Sequence, residues 1–504
     1  MVAYVRTVKT ASGAIAVQIV WSSRRGARSI EHIGSAHDDA ELAALKAAAA
    51  EKLAGGQTVL DLGVTTRVGS GPLPITSSQM SALWDGLCTA YRVVGFEKAT
   101  EGDAVFRDLV LGRIIEPTSK LGTIRVLNEV GVGTASYATI KRQLPGYAKP
   151  QWRQRLSSTT AGRAGLGPAS LVLYDVSTLY FETDKADGFR EPGFSKERRL
   201  EPQITIGLLT DVTGFPLSLQ AFEGDKPETH TMVSAIKAFK HAHQLRDVTV
   251  VADAGMISED NQIAIAAAGL TFILGARIPR MPQVIGSWRD AHPGRTFDDQ
   301  QIFTQPWPAS SSEKARGVPD MVIHYQYRAD RARRTLRGID EQVAKAENAV
   351  AGKASVKRNR FIALEGATKS VNRALEARAR ALAGWKGYTT NLTDQTPEFV
   401  IGAYHQLWRI EKSFRMSKHD LAARPIYHHL RDSIDAHLNV VFAALAVSHY
   451  IEHQTGWSIK KFVQTARCYR TITIAAGNQT ITAADPIPDD LRDALTRINT
   501  GGAH

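Results

Sequence analysis

Residues 247–258 read DVTVVADAGMIS, and this stretch decides the fold. Its β-branched and small apolar residues are typical of a strand in the interior of a sheet. The strand stops at a carboxylate, Asp253, and Ala254-Gly255 then predicts a turn. A buried acidic side chain costs free energy unless a partner compensates it. Asp253 therefore indicates a site at the end of this strand.

The segments on either side of this strand alternate between strand and helix patterns. In chain order they are strands at 170–183, 203–214 and 215–224, a helix at 228–244, the strand itself, a helix capped by Ser258, and a strand at 271–276. Thr213-Gly214 predicts a tight hairpin between the second and third strands. The order predicts an α/β fold with a mixed sheet and helices on both faces, which is the strand order of the ribonuclease H-like fold.

The rest of the chain predicts a division into regions around this α/β domain. The regions are a β-hairpin plus helix at 1–60, a mainly helical region at 61–165, the α/β domain at 166–455 with a basic insertion at 278–384, and a C-terminal tail at 456–504. After the insertion, a strand-like GYTTNL leads into one helix from Pro397 to about Lys418. The next helix, at 430–454, is apolar enough to lie in the core.

The positive charge of the chain is concentrated in two regions. The 504 residues carry a formal net charge of +12, of which residues 1–165 contribute +7 (20 basic, 13 acidic) and residues 328–380 contribute +8 (14 basic, 6 acidic). This distribution predicts a polyanionic partner, such as the phosphates of a nucleic acid. The alternative is that these charges are ordinary solvated surface.

Cysteine spacing and hydropathy exclude other classes of protein. The two cysteines, Cys88 and Cys468, give neither a disulfide framework nor a zinc-binding spacing, and they are expected to be buried structural thiols. The longest apolar runs, such as Val440–Val447, are shorter than the ~18–20 residues that cross a bilayer. We expect a cytoplasmic protein that has no membrane partner.

Three short predicted helices in the N-terminal region have the arrangement of a helix-turn-helix. They cover residues 103–115, 117–132 and 136–144, and the last contains Lys141 and Arg142. Basic residues on a third helix are typical of contacts with DNA. A small helical bundle that binds no DNA remains the alternative.

Two carboxylates lie in neighbouring strands of the predicted sheet. Asp175 is a lone acid in the apolar run LVLYDVSTLYF, and Asp253 ends the fourth strand. In this order the first and fourth strands are adjacent and parallel, so the two side chains can converge at one edge of the sheet. Their repulsion is relieved by a divalent cation, and Mg²⁺ prefers such oxygen ligands. The alternative is that each Asp caps a strand end or a turn.

A third acid belongs to a stripe of functional side chains on the helix after the insertion. At 100° per residue, Tyr404, Glu411, Arg415 and Lys418 fall within about 60° of one another on a regular helix. A hydroxyl, an acid and two bases on one narrow face favour a site rather than a solvated surface. A surface salt-bridge row through Glu411 and Arg415 is the alternative.

These motifs resemble the DDE transposases of bacterial insertion sequences, in the branch with a Tyr–Arg–Glu–Lys signature. Tyr404, Glu411 and Lys418 match that signature in type and spacing, and WRIEKSFR, LVLYDVSTLYFE and VVADAGMIS resemble the family's blocks. The stretches from 203 to 228 and RPIYHHLRDSIDAHL also look familial. The chain departs from the signature at Leu407, where the family has Arg. Arg409 lies two residues further on.

The resemblance implies a ribonuclease H-like catalytic domain in which Asp175, Asp253 and Glu411 hold two Mg²⁺ ions, with Mn²⁺ able to substitute. It implies cleavage of DNA at terminal inverted repeats and joining of the ends to target DNA. Tyr404, Arg415 and Lys418 would contact the DNA end, and Lys141 and Arg142 would contribute to recognition. The expected form is a dimer assembled on double-stranded DNA, associated with the nucleoid.

Two other functions remain open from the sequence. One is a catalytically inactive DNA-binding protein, or a nuclease, derived from such a transposase. The other is an unrelated basic scaffold protein.

Overall fold

The computed structural model divides the chain into two compact units, Met1–Ser77 with Ile472–Ala483, and Ser78–Thr471 with Ala484–His504. It describes residues 2–10, 13–22, 28–53, 73–166, 169–182, 185–193, 201–226, 228–253, 259–353, 355, 359–365, 368–424, 426, 428–476 and 478–501. The predicted turn Ala254-Gly255, the Ser258 cap and the helix stop at Gly55-Gly56 lie outside these residues.

Among its described residues, the smaller unit contains two small sheets and one helix. Strands β1 (Val2–Lys9) and β2 (Ile15–Ser22) form the predicted antiparallel hairpin, and helix α1 (Asp39–Leu53) follows as predicted. The sequence did not reveal the third strand, β3 (Arg28–Ala36), which pairs with β2. The second sheet has the order β16-β15-β4, with strands β4 (Ile75–Gln79), β15 (Thr471–Ala476) and β16 (Gln479–Ala484).

The larger unit is built on an eight-stranded mixed sheet. In the order in which they pair, the strands are β10 (Ile302–Trp307), β11 (Met321–Tyr327), β14 (Trp385–Thr390), β9 (Thr271–Ala276), β8 (Asp247–Ala252), β5 (Ala169–Tyr180), β6 (Gln203–Thr210) and β7 (Pro216–Glu223). β5, β8 and β9 are parallel, and the other pairings are antiparallel. The predicted adjacency of the first and fourth strands of this domain is confirmed, and so is the β6–β7 hairpin.

Helices cover both faces of this sheet because the side chains of its strands alternate. On β5, Leu173 and Leu179 belong to one core cluster, whereas Val172, Tyr174 and Val176 belong to the cluster on the other face. Helices α8 (Glu228–Ala242) and α9 (Glu259–Ala267) cover the second face. Helices α14 (Pro397–His405), α15 (Leu407–Arg415) and α16 (Arg431–Thr455) cover the first.

The N-terminal helices share a core with α16. They are α2 (Ser81–Val94), α3 (Phe96–Ala99), α4 (Ala104–Ile115), α5 (Lys120–Val130), α6 (Tyr137–Tyr147) and α7 (Pro150–Arg163). Helices α17 (Ile459–Ala466) and α18 (Asp489–Thr500) add to the same cluster. Within the described part of the chain, α16 is the one helix long and apolar enough to cross a membrane, but 89% of its apolar window is buried. It is the core helix that the sequence predicts.

The range 278–384 does not form a single inserted body. Its strands β10 and β11 extend the main sheet, so this half is continuous with the α/β domain. The other half forms a satellite with its own core around Ile339, Val343 and Phe361. The satellite consists of α12 (Ala329–Val350), β12 (Ile362–Glu365), β13 (Thr368–Val371) and α13 (Arg373–Ala381), and the shorter α10 (Gln283–Ala291) and α11 (Ser311–Ala315) precede it.

The prediction of a single helix from Pro397 to about Lys418 is wrong. The helix is interrupted at Gln406, between α14 and α15, and it widens into a π-helical turn at Met416–Asp420. The wider turn closes through a hydrogen bond from the Leu421 amide to the Met416 carbonyl, 3.0 Å long. A periodicity of 100° per residue therefore does not hold across the predicted stripe.

Candidate active site

The register of the two parallel strands brings Asp175 and Asp253 together. Leu173 on β5 pairs with Val251 on β8, and two further residues along each strand lead to Asp175 and Asp253. Side chains two residues apart on a strand point to the same face of the sheet. Asp175 and Asp253 therefore point to the same face as Leu173 and Val251, which is the face covered by α14–α16. Asp253 is exposed rather than buried, because β8 ends at Ala252. Asp175 is half-buried, and its Oδ1 accepts a hydrogen bond of 2.8 Å from the Val176 amide.

The third predicted acid, Glu411, lines the same cavity. Helix α15 packs on β5 and β6 through its buried residues Ile410, Ser413 and Phe414, which leaves Glu411 exposed. The cavity has a volume of about 470 Å³ and opens between the sheet edge and this helix. Its lining residues are Tyr174, Asp175, Asp253, Lys386, Tyr404, His405, Leu407, Trp408, Ile410 and Glu411. All three predicted carboxylates therefore meet in one cavity.

Tyr404 binds one of these acids directly. Its hydroxyl donates a hydrogen bond of 2.7 Å to Oδ1 of Asp253, and only 3% of the residue is exposed. The ring packs edge-on against buried Tyr388, with 5.0 Å between the ring centroids. Burial, followed by the hydrogen bond to Asp253, raises the pKa of the Tyr404 hydroxyl. Tyr404 is thus a fixed neutral donor that holds the Asp253 carboxylate in place.

The sequence did not reveal two basic residues of the cavity, Lys386 and His405. The Lys386 ammonium lies 4.3 Å from the centroid of the Tyr404 ring. Burial lowers the pKa of Lys386 by more than the charges of Asp253 and Glu411 raise it. His405 accepts or donates a hydrogen bond of 3.3 Å with the Tyr388 hydroxyl, and burial lowers its pKa. Lys386 is the one charged residue of the strand WKGYTT. A lone charge in a strand is the signal that identified Asp175, and it could also have identified Lys386.

The other members of the predicted stripe lie elsewhere. Arg415 is exposed and Lys418 is half-buried within the π-helical turn, and neither is among the residues that line the cavity. Leu407 lines the cavity at the signature Arg position. Arg409 lies on another side of α15, where its Nε donates to Oε1 of Gln406 at 2.7 Å and its guanidinium stacks on Trp408 at 5.1 Å. No cation of α15 therefore replaces the signature Arg in this cavity.

The predicted helical triplet of the N-terminal region is confirmed as α4, α5 and α6. Helix α6 buries Ile140, Leu144 and Tyr147, and it exposes Lys141 and Arg142. Both basic residues are therefore accessible to a partner. Of the predicted structural thiols, Cys88 is half-buried, but Cys468 is exposed.

The donor set of the cavity suits a hard divalent cation. Three carboxylates with no thiolate are the ligands that Mg²⁺ prefers. The three are not arranged as a ready-made ligand cluster, because no group of three His, Cys, Asp or Glu among the described residues could hold a metal ion as it stands. The ligand atoms are therefore of the type that such an ion binds. Without the ion, the charge of Lys386 and the hydrogen bond from Tyr404 stabilise the carboxylates.

The fold and the cavity define an α/β protein with three carboxylates gathered between a mixed sheet and a helix. Residues 166–447 match the family profile described as "Transposase DDE domain", and this match covers more than half of the 504 residues. The chain therefore belongs to the DDE-domain transposase family.

The chain was also compared with curated proteins and with solved structures. No curated protein matches the chain in sequence. A cryo-EM structure of the piggyBac transposase synaptic complex with hairpin DNA is similar with a TM-score of 0.34 and 8% sequence identity, over 84% of this chain and 71% of that chain.

Proposed function

We propose that this chain is the transposase of a bacterial insertion sequence, of the branch with the Tyr–Arg–Glu–Lys signature. It binds the terminal inverted repeats, cleaves the DNA at the element ends and joins the 3′ ends to target DNA. One observation carries the proposal: in a chain of the DDE transposase family, Asp175, Asp253 and Glu411 come from two strands and a helix and line one cavity.

The strand order supports a ribonuclease H-like catalytic domain. The segment β7-β6-β5-β8-β9 has an antiparallel meander followed by two parallel strands, with helices on both faces. Two of the three acids are at the edge where β5 and β8 run side by side. This placement suits a site that is open to a long polymer.

Each side chain of the cavity has a role in this proposal. Asp175, Asp253 and Glu411 would hold Mg²⁺, for which Mn²⁺ can substitute. When bound, the ions would supply activation of the attacking hydroxyl and stabilisation of the leaving oxygen. Tyr404 orients Asp253 through its hydrogen bond. Lys386 supplies a positive charge beside Asp253 and Glu411, where a DNA phosphate would enter.

The proposed assembly is a dimer on double-stranded DNA, in the cytoplasm and associated with the nucleoid. Exposed Lys141 and Arg142 would contact the terminal repeat, and exposed Arg415 together with Lys418 would contact DNA outside the cavity. Basic residues of α12, such as Arg334 and Arg337, would follow the DNA backbone.

The second candidate is an inactive DNA-binding protein or a nuclease derived from a transposase. Leu407 at the signature Arg position favours it, because no cation of α15 takes that place in the cavity.

The purified chain is to be incubated with Mg²⁺ and DNA that carries the sequences flanking its reading frame. Transposase function predicts 3′-hydroxyl ends at the borders of the inverted repeats and products joined to a second DNA. Specific binding without cleavage would instead establish the second candidate, and cleavage without joining would indicate a nuclease.

A further inference from the structure

A cluster of basic groups lies where α4 and α5 meet the segment that follows the π-helical turn. Arg113 on α4 donates hydrogen bonds to the carbonyl oxygens of Leu421 and Ala422, at 2.8 and 3.3 Å. Lys120, the first residue of α5, lies 3.3 Å from Nδ1 of His428. His428 in turn packs against His437, with 5.3 Å between the ring centroids. The His428 segment belongs to RPIYHHL, a motif that the cavity does not use.

The hydrogen bonds fix both histidines in their neutral forms. Nε2 of His437 is 3.2 Å from the Ala423 carbonyl, which can only accept, so this nitrogen carries the proton. Nδ1 of His437 then accepts from Arg113, at 3.4 Å. By the same logic Nδ1 of His428 accepts from Lys120, and its proton is on Nε2. Burial and the neighbouring cations lower the pKa of His428 to about 4.

The cations of this cluster have no acidic partner among the described residues, because no carboxylate pairs with Arg113, Lys120 or His428. Burial lowers the pKa of Lys120, and the charge of Lys141 lowers it further. A partly buried lysine beside another cation costs free energy when no acid compensates it, so the charge of Lys120 does not add to stability.

We propose that Lys120, His428 and Arg113 form a binding site for a phosphodiester of the DNA backbone. Lys120 and the Nε2–H of His428 donate to the phosphate, and Arg113 supplies charge from beneath. Exposed Lys141 and Arg142 on the next helix extend the positive surface beyond the cluster. This inference rests on the proposed function for the identity of the anion as DNA, and it adds a contact that joins the N-terminal helices to the chain just after the catalytic helix.

Stability measurements without any DNA provide the first test. In a low-salt buffer free of multivalent anions, Lys120→Gln is expected to melt at the same temperature as the wild type or up to a few degrees higher, because it relieves repulsion. Inorganic phosphate is then expected to stabilise the wild type more than it stabilises Lys120→Gln or His428→Gln. A purely structural Lys120 would give the opposite result: a lower melting temperature and an unchanged response to phosphate.

DNA binding provides the second test, with fluorescence anisotropy on a random-sequence duplex of about 30 base pairs. Lys120→Gln is expected to weaken binding roughly tenfold and to reduce the slope of log K against log salt by about one. Lys120→Arg should preserve most of the affinity. The matched control is Lys98→Gln, which removes one exposed charge from the same helical region.

Equal losses for Lys98→Gln and Lys120→Gln would contradict the site. A lost response to phosphate with unchanged DNA affinity would contradict the assignment to DNA. Failure of the proposed transposase function would appear as absent cleavage by the wild type, and these binding tests do not depend on cleavage.

Discussion

Lys386 places a positive charge beside two of the three acids of the cavity. Its ammonium stacks on the Tyr404 ring, and it interacts with the charges of Asp253 and Glu411. Like charges in a partly buried site repel, and a tethered cation reduces that repulsion. At the residue scale, the negative charge of the acids is therefore compensated by Lys386 and, in the proposed function, by metal ions.

Replacing Lys386 with Met should make stability depend on divalent ions. The rise in melting temperature between EDTA and 10 mM Mg²⁺ should be larger for this variant than for the wild type by roughly 1–2 °C, because the ion then compensates acids that have lost a neighbouring cation. The control is Lys369→Met, which removes an exposed lysine of β13. An equal response to Mg²⁺ in the variant and the wild type would show that Lys386 only packs.

The three acids could be predicted from the sequence because a charge inside an apolar strand stands out. Asp175 in LVLYDVSTLYF and Asp253 after DVTVVA carry that signal. Glu411 lies on a helix, and it was predicted from the stripe of functional side chains and from the family resemblance. Lys386 carries the same signal but adjoins an insertion, where the strand boundary was unclear. The hydrogen bond from Tyr404 to Asp253 could not be predicted, since it joins residues 151 positions apart.

Helix α15 is held between a hairpin turn and the core helix α16. Ser413 donates to the carbonyl of Gly214 in the β6–β7 turn, at 2.9 Å, and it lies 2.9 Å from Nε2 of His449 on α16. Gly214 has a φ of +89°, and a Cβ there would lie 3.1 Å from Cβ of Arg409. At the element scale, these contacts set the position of the helix that carries Glu411.

Gly214→Ala should destabilise the chain and displace α15. A left-handed backbone costs ~1–2 kcal/mol for a residue with a Cβ, and the contact with Arg409 adds to it. We expect a lower midpoint in urea denaturation and a slower cleavage rate. Gly402→Ala, in α14, is the matched control, since nothing lies within 4 Å of its added Cβ. Equal midpoints for the two variants would disprove that the turn supports the helix.

Buried His449 should make the chain lose stability in acid. Burial, and then the charges of Lys412 and His453, lower its pKa to about 3. The unfolded state therefore binds the proton between about pH 6.5 and pH 3, and stability falls as the pH drops through that range. His449→Gln should reduce the loss between pH 7 and pH 4.5 by roughly 2–3 kcal/mol in urea titrations. Parallel pH profiles of stability for the two proteins would exclude His449 as a cause of the loss of stability in acid.

At this scale the sequence predicted strands β5 to β9 but neither the edge strand β10 nor the helix break. Continuous apolar runs identify strands such as β6, β8 and β9, because both faces of these strands are covered. Strand β10 at the sheet edge reads IFTQPW and has no such run. The interruption at Gln406 has no Pro or Gly to signal it, and the π-helical turn depends on tertiary packing.

The distribution of charge over the whole molecule separates two kinds of DNA contact. Residues 1–165 carry +7, and residues 328–380 carry +8, mostly in the satellite. A deletion of residues 1–165 is not a clean test of recognition, because α2–α7 share one hydrophobic core with α16. Substitution of exposed charges tests the division of labour without exposing that core.

The double variant Lys141→Gln/Arg142→Gln should lose preference for the element's ends over random DNA. The double variant Arg334→Gln/Arg337→Gln should weaken binding to both DNAs alike, since phosphate contacts carry no sequence information. Each should lower the salt slope by up to about two. Competition binding with both duplexes measures the ratio. Unchanged preference in the first variant would place recognition elsewhere in the chain.

Single-turnover cleavage of element-end DNA by Asp175→Ala, Asp253→Ala and Glu411→Ala tests the central claim most directly. The account predicts that each variant binds the DNA like the wild type but cleaves at least about 100-fold more slowly, whereas Glu398→Gln, an exposed acid on α14, cleaves normally. Near-wild-type cleavage by any of the three alanine variants would contradict the account and remove that carboxylate from the site.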